Sequence, residues 1–159
     1  MSKVQRITLM IGFIGYLLFL VFYMFFRSRE GAGMSLSLFE YIQSHTNLIP
    51  FKTITNYITA LEEGTMNTWK AVKNLVGNVL VFTPMGLFLP SLFGKLERMT
   101  AFFVAFVCII LSAEVAQLLT QRGSFDIDDF ILNLLGAWMG FKLWEMAIVQ
   151  KWLGRDKNG

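Results

Sequence analysis

Four carboxylates in the second half of this chain stand where their types and spacing could do chemistry. Glu114 falls inside an apolar run, three residues before Gln117, and Asp126, Asp128 and Asp129 follow closely on Arg122. Amide side chains accompany them at Asn47, Asn74, Asn78 and Asn133. A carboxylate can accept a proton, attack as a nucleophile or hold a donor-bearing ligand, and amides orient polar groups by donating and accepting at once. One reading is therefore a small intramembrane enzyme, a hydrolase or transferase acting on a lipid. Glu114 would be its general base or nucleophile, with Asp126 or Asp128 assisting. The other is a ligand-binding pocket formed by Asn47, Asn74, Asn78, Glu114, Gln117, Arg122, Asp126, Asp129 and Asn133.

Structural roles compete with both. A carboxylate within a span costs about 2.5 kcal/mol or more near the centre and less towards the interface. Glu114 is thus either a packing group, protonated or paired with Arg122, or a working carboxylate whose pKa burial raises. Aspartates beside a helix start are ordinary caps and dipole partners, and Asn47 with Pro50 suits a turn. His45 and Cys108 are each the single residue of their type, which argues against zinc and rules out a disulfide framework. Bound metal would have to be a hard cation held by carboxylates, and none is expected. Cys108 and Ser112 have no base at motif spacing, and no glycine loop cradles phosphate, so no cofactor is expected either.

The elements that must position these groups are membrane helices. Hydrophobic residues make up 55% of the 159 and charged residues 16%, with a mean hydropathy of +0.54. Disorder is excluded, and a soluble enzyme would need a far larger interior to hide so much apolar surface. A net charge of +3, thinly scattered, suits cationic flanks of membrane helices rather than nucleic acid. Four spans are expected, at about 7–26, 75–93, 99–119 and 130–149. The first reads as a retained anchor, since no small-residue cleavage site follows it. The second contains Pro84, which predicts a kink whose freed carbonyl Thr83 or another helix must satisfy. Only Gly94 to Arg98 separates the second and third, predicting a tight antiparallel hairpin. The long connection before the second span places Phe51, Ile54, Ile58 and Leu61 on one helical face behind Pro50 at the first turn. This short amphipathic helix either lies in the interface or packs on the tops of the spans.

Four spans put both termini on one side. Lys3, Arg6, Lys95, Arg98, Lys151, Arg155 and Lys157 would share it, against Arg27, Arg29, Lys52, Lys70, Lys73 and Arg122 opposite. The first set occupies much shorter segments, so cytoplasmic termini are expected. Up-and-down alternation then carries Asn74, Asn78, Glu114, Gln117 and Asn133 into one leaflet, the outer. Helical phase gathers Glu114 with Gln117, and Asp129 with Asn133, Gly136 and Gly140, each set within one arc. Gly136 and Gly140 form a GxxxG seam that admits a close neighbour. Lys142 and Glu145 can pair in the opposite half, which is otherwise nearly plain.

Taken in order, these residues resemble the VanZ-like family. The matching pieces are Asn47 to Phe51 with Thr53 and Ile54, Asn74 to Asn78 leading into Phe82 to Gly86, Glu114 with Gln117, Arg122 with Asp126, Asp128 and Asp129, and Asn133 with Gly136 and Gly140. The resemblance covers roughly residues 45–140. It implies a polytopic protein of the bacterial envelope that in some members lowers susceptibility to teicoplanin or related lipoglycopeptides, and it supplies no mechanism. The expected partner is a membrane lipid, a lipid-linked cell-wall intermediate or the lipid-bearing part of the antibiotic. Termini in the cytoplasm would place the pocket on the outer face of the cell membrane.

Overall fold

The computed structural model describes residues 1–26 and 36–154. Arg27, Arg29, Arg155 and Lys157, which entered the charge comparison, lie outside them. Among the described residues the chain is all-α apart from one short strand pair. Helix α1 covers Lys3–Phe26, α2 Leu38–Ser44, α3 Lys52–Glu62, α4 Thr68–Leu92, α5 Met99–Leu119, α6 Ile127–Glu145 and α7 Ala147–Trp152. Strands β1 (Thr46–Asn47) and β2 (Phe125–Asp126) pair in parallel, Thr46 opposite Phe125 and Asn47 opposite Asp126. Among the described residues three helices are long and apolar enough to cross a membrane, at Lys3–Phe25, Thr68–Leu92 and Met99–Leu119. Helix α6 is not one of these. Asp128, Asp129, Lys142 and Glu145 all fall within its 19 residues, and the segment expected as a single span breaks at Met146 before α7 begins.

Helix α5 occupies the residues expected of the third span, while α4 begins seven residues ahead of the expected second one. Asn67 caps it, its side chain accepting from the Trp69 amide at 2.8 Å. Both Pro84 and Pro90 are accommodated within α4. Thr83 Oγ1 donates to the Val79 carbonyl (3.0 Å) rather than to Leu80, whose helical donor Pro84 removes. Tyr16 of α1 donates its hydroxyl to the neighbouring Val81 carbonyl at 2.9 Å, so the proline region of α4 is tied to α1.

The intimate helix pair is α4 with α6, not the sequence neighbours α4 and α5, which a tight 3-10 turn at Gly94–Leu96 joins. A Cβ on Gly136 would collide with the Val79 carbonyl, one on Gly140 with the Thr83 carbonyl, and one on Gly86 with the backbone of Ala137 and Phe141. Three missing side chains thus let two backbones touch. A four-residue step along α6 matches a four-residue step along α4 in the same direction, so the two helices run parallel. Away from the polar end, Phe102, Phe106 and Phe141 are fully buried with Met85 and Ile110. The rings interlock, with centroids 4.9 Å apart for Phe102–Phe141, 5.3 Å for Phe141–Trp144 and 5.9 Å for the edge-on pair Phe82–Phe106. Lys142 and Glu145 do pair, at 2.7 Å on the surface.

Helix α1 is held differently. It exposes Ile7, Ile11, Ile14, Leu18 and Phe22 and, among the described residues, buries only Leu20. Its N-terminal end is anchored by polar contacts: the N-terminal ammonium donates to the Gly154 carbonyl (3.1 Å), and Gln5 Nε2 to the Trp152 carbonyl (3.1 Å). The two ends of the described chain therefore meet.

Candidate functional site

The polar end is organised first by caps. Asp126 is the N-cap of α6, accepting from the Asp128 amide at 2.9 Å, and its carboxylate also accepts from Thr53 Oγ1 (2.6 Å) and Asn47 Nδ2 (3.2 Å). Asp128 is wholly buried and turns away from its own helix. It accepts from the amides of Phe51 (2.5 Å), Thr53 (2.7 Å) and Ile54 (3.1 Å), which are orphan donors at the start of α3. One carboxylate thereby caps a helix far away in sequence. The clamp also holds Phe51, the N-cap of α3, in the left-handed region at φ 64°, a conformation that costs a non-glycine residue on the order of 1–3 kcal/mol. Pro50 consequently precedes the cap instead of occupying the first turn, and the β1–β2 pair locks the two loops together.

Helix α3 occupies the segment where the amphipathic helix was expected, and its half-buried residues are not the expected stripe. Thr53, Tyr57 and Ala60 are half-buried together with Ile54 and Leu61, whereas Phe51 and Ile58 stay exposed. Tyr57 accepts from Asn74 Nδ2 at 2.6 Å, joining α3 to α4. Asn78 Nδ2 donates to Asp129 at 2.5 Å, joining α4 to α6. The last carbonyls of α1 are met from α5 and beyond: Gln117 Nε2 donates to Met24 O (2.5 Å) and Arg122 Nη1 to Phe25 O (3.4 Å). Gln121, at φ 55°, turns the chain after α5 and directs Arg122 back towards α1.

Within this frame lies a cavity of about 730 Å³. Of the candidates read from the sequence, Asn74, Asn78, Glu114, Gln117, Asp126, Asp129 and Asn133 line it; Asn47, Arg122 and Asp128 hold its surroundings and do not line it. Residues outside the expected set join them, among them Tyr23 and Met24 of α1, Thr53 and Tyr57 of α3, Lys70, Lys73 and Phe82 of α4, and Ser124. A signal for the lysines was present. Lys70, Asn74 and Asn78 recur every four residues, one face of a helix, but counting the lysines as flanks hid that they begin the polar stripe. Thr53 and Tyr57 share the same spacing, obscured by the more conspicuous apolar residues between them.

Glu114 and Asn133 are the buried polar groups deepest along their helices, 5% and 2% exposed. Asn133 Oδ1 has no hydrogen-bond partner. A buried acceptor left in that state costs about 1–3 kcal/mol. Among the described residues no three of His, Cys, Asp and Glu are grouped to hold a metal ion. The arrangement can therefore receive a polar group of moderate size, presenting acceptors from α5 and α6 and donors from α4.

The VanZ/LLP1 family model matches residues 13–149, which takes in every helix that lines the cavity. The chain belongs to the VanZ/LLP1 family. Protein VanZ of Enterococcus faecium is 31% identical over 113 residues, covering 70% of this chain and 60% of that protein. The chain's match thus spans less than two thirds of that relative's length. No solved structure matches. The family match includes the glycine seam between α4 and α6 and both aspartate caps, so the frame of the cavity lies within the family region.

Proposed function

We propose that this VanZ/LLP1 protein crosses the bacterial cell membrane four times with its termini in the cytoplasm. In this reading it binds a lipid headgroup or lipid-linked cell-wall intermediate in an outer-leaflet pocket, and so lowers susceptibility to teicoplanin and related lipoglycopeptides. The fourth crossing is α6, about 28 Å long at 1.5 Å per residue, close to a hydrocarbon core of about 30 Å. The meeting of Met1 with Gly154 supports an even number of crossings. Helix α3, with Phe51 and Ile58 exposed and its polar side over the cavity, lies in the outer interface.

The observation that carries this reading is the cavity itself. A polar space of about 730 Å³ is walled by α1 and α4 to α6 and roofed by α3, with a buried acceptor unpaired inside. Polar groups are placed inside a membrane bundle at a cost, and those lining a cavity are the ones positioned to meet a ligand. Asp126 and Asp128 serve helix starts, which favours binding over carboxylate-pair catalysis.

The test is teicoplanin and vancomycin susceptibility in a sensitive Gram-positive host carrying the wild type, Glu114→Gln or Asn133→Leu, with membrane abundance measured in each strain. Teicoplanin bears an acyl chain and vancomycin does not, so action at the membrane predicts protection against the former alone. That protection is lost in both variants at undiminished abundance. Equal protection against both antibiotics, or full protection from both variants, overturns the reading.

A further inference from the structure

The cavity has a polarity of charge that narrows what it can hold. Lys70 and Lys73 stand exposed at its mouth on the first turns of α4. Deeper in are acceptors: Glu114 of α5, Asp129 of α6 and the unpaired Oδ1 of Asn133. The parallel register, with Gly136 against Val79, sets Asn133 level with about Val76, between Lys73 and Asn78. Cationic and acceptor groups are thus separated along the helix by about one turn, or roughly 5 Å, within reach of a flexible lysine.

A simple anion bound there would meet the carboxylates of Glu114 and Asp129. A simple cation would pass two lysines to reach them. A neutral polyol would satisfy Asn133 and gain nothing from either set of charges. A group with an anion at one end and a hydrogen-bond-donating cation at the other meets both. We propose that the cavity takes a phosphate ester carrying a primary ammonium group, its ammonium donating to Asn133 Oδ1 beside Glu114 and Asp129 and its phosphate at Lys70 and Lys73, as an aminophospholipid headgroup would present them. The proposal rests on the headgroup-binding reading above and gives it a ligand class and a direction.

Asn133 Oδ1 is the selecting atom. It is withdrawn from solvent and has no partner in the protein, so an N–H brought to it relieves an existing penalty rather than exchanging one bond for another. The neighbouring carboxylates favour a charged donor over a hydroxyl because they act in a medium of lowered dielectric. Met24 and Phe82 give the polar cavity an apolar margin, and it lies among helices long and apolar enough to cross a membrane, which favours a lipid over a soluble phosphate ester as the source.

The test measures equilibrium binding to the purified full chain in detergent. The probes are dihexanoyl phosphatidylethanolamine, its N-acetyl derivative, dihexanoyl phosphatidylglycerol and water-soluble glycerophosphoethanolamine. Trp69, which lines the cavity, supplies a fluorescence signal. Phosphatidylethanolamine is expected to bind about tenfold tighter than the N-acetyl lipid or phosphatidylglycerol. Asn133→Leu reduces that preference to about threefold or less, and Lys70→Gln with Lys73→Gln weakens all the lipids alike. If the asparagine variant fails to fold, the wild-type ranking still decides.

Phosphatidylglycerol binding as tightly as phosphatidylethanolamine overturns the ammonium assignment and leaves the headgroup pocket standing. Absence of binding by every lipid probe overturns both. Glycerophosphoethanolamine matching the lipid in affinity supports the ammonium phosphate chemistry while moving its source from the bilayer to water.

Discussion

The two halves of the bundle are built on opposite principles. At the end holding Phe102, Phe106, Phe141 and Trp144, helices meet through interlocked aromatic rings and a glycine seam. At the other end they meet through single directional bonds, Asn74 to Tyr57, Asn78 to Asp129, Gln117 to Met24, around an open cavity. Lipid tails are as apolar as a phenylalanine ring, so burial from water does not drive the first half together. Close packing does. Rigidity in one half is what allows the other to keep space and an unpaired acceptor without collapsing.

The most damaging change expected is Gly140→Val, which forces a branched side chain into the Thr83 carbonyl, an obstacle that cannot rotate away. Overpacking commonly costs about 1–3 kcal/mol where side chains can yield, and here backbone must move. The expected outcome is loss of monodisperse protein on size-exclusion chromatography. Phe102→Ala comes next. It leaves a cavity among fully buried rings, costing about 3 kcal/mol, the low end of the soluble range because no transfer to water is involved. A lowered melting temperature with ligand binding retained at low temperature would support the division of labour; unchanged melting would break it.

Asp128→Ala removes the acceptor of three amides at the start of α3 and costs about 2–3 kcal/mol. Its signature is local: hydrogen exchange accelerates at Phe51, Thr53 and Ile54 while the aromatic half stays protected. Uniform acceleration would show that the two halves unfold as one. Asn133→Leu is expected to leave stability unchanged or slightly raised, since it deletes an unsatisfied acceptor, while ligand preference falls. A marked loss of stability would show that Asn133 supports the bundle.

The smallest effect lies at α2. Ser37 and Glu40 form a reciprocal capping box, and the Ser37 hydrogen bonds hold the Glu40 carboxyl below its usual pKa. A depressed carboxylate stabilises the fold above its unfolded value, and that contribution is lost as pH falls through the folded one. Exchange at the Glu40 and Tyr41 amides should therefore quicken only on the acid side of the ordinary glutamate range, and Ser37→Ala should abolish the pH dependence.

Much of this architecture was legible because membrane helices announce themselves by length and composition. Met99–Leu119 was expected at the observed residues, and the GxxxG seam named the close-packed face of α6. Its partner was not legible. The short turn after α4 suggested α5, but the complementary glycine, Gly86, stands nine residues from Gly77 and has no four-residue repeat to mark it. Polar residues converging at one end could be inferred from alternation, yet the role that Asp128 takes could not. That depended on Asp128 reaching across to α3, a contact between segments far apart in sequence. Strands β1 and β2, two residues each, were too short to leave a period.

The parallel pairing of α4 with α6 also imposes an order on biogenesis. When α4 leaves the ribosome its partner has not been made, and the whole of α5 must cross back before α6 exists. Until then Gly86 and the carbonyls of Val79 and Thr83 face lipid or the insertion machinery, and Asn78 lacks α6's Asp129. A nascent chain halted after α5 has an unfilled groove along α4, so the cell is asked to shelter it until α6 arrives.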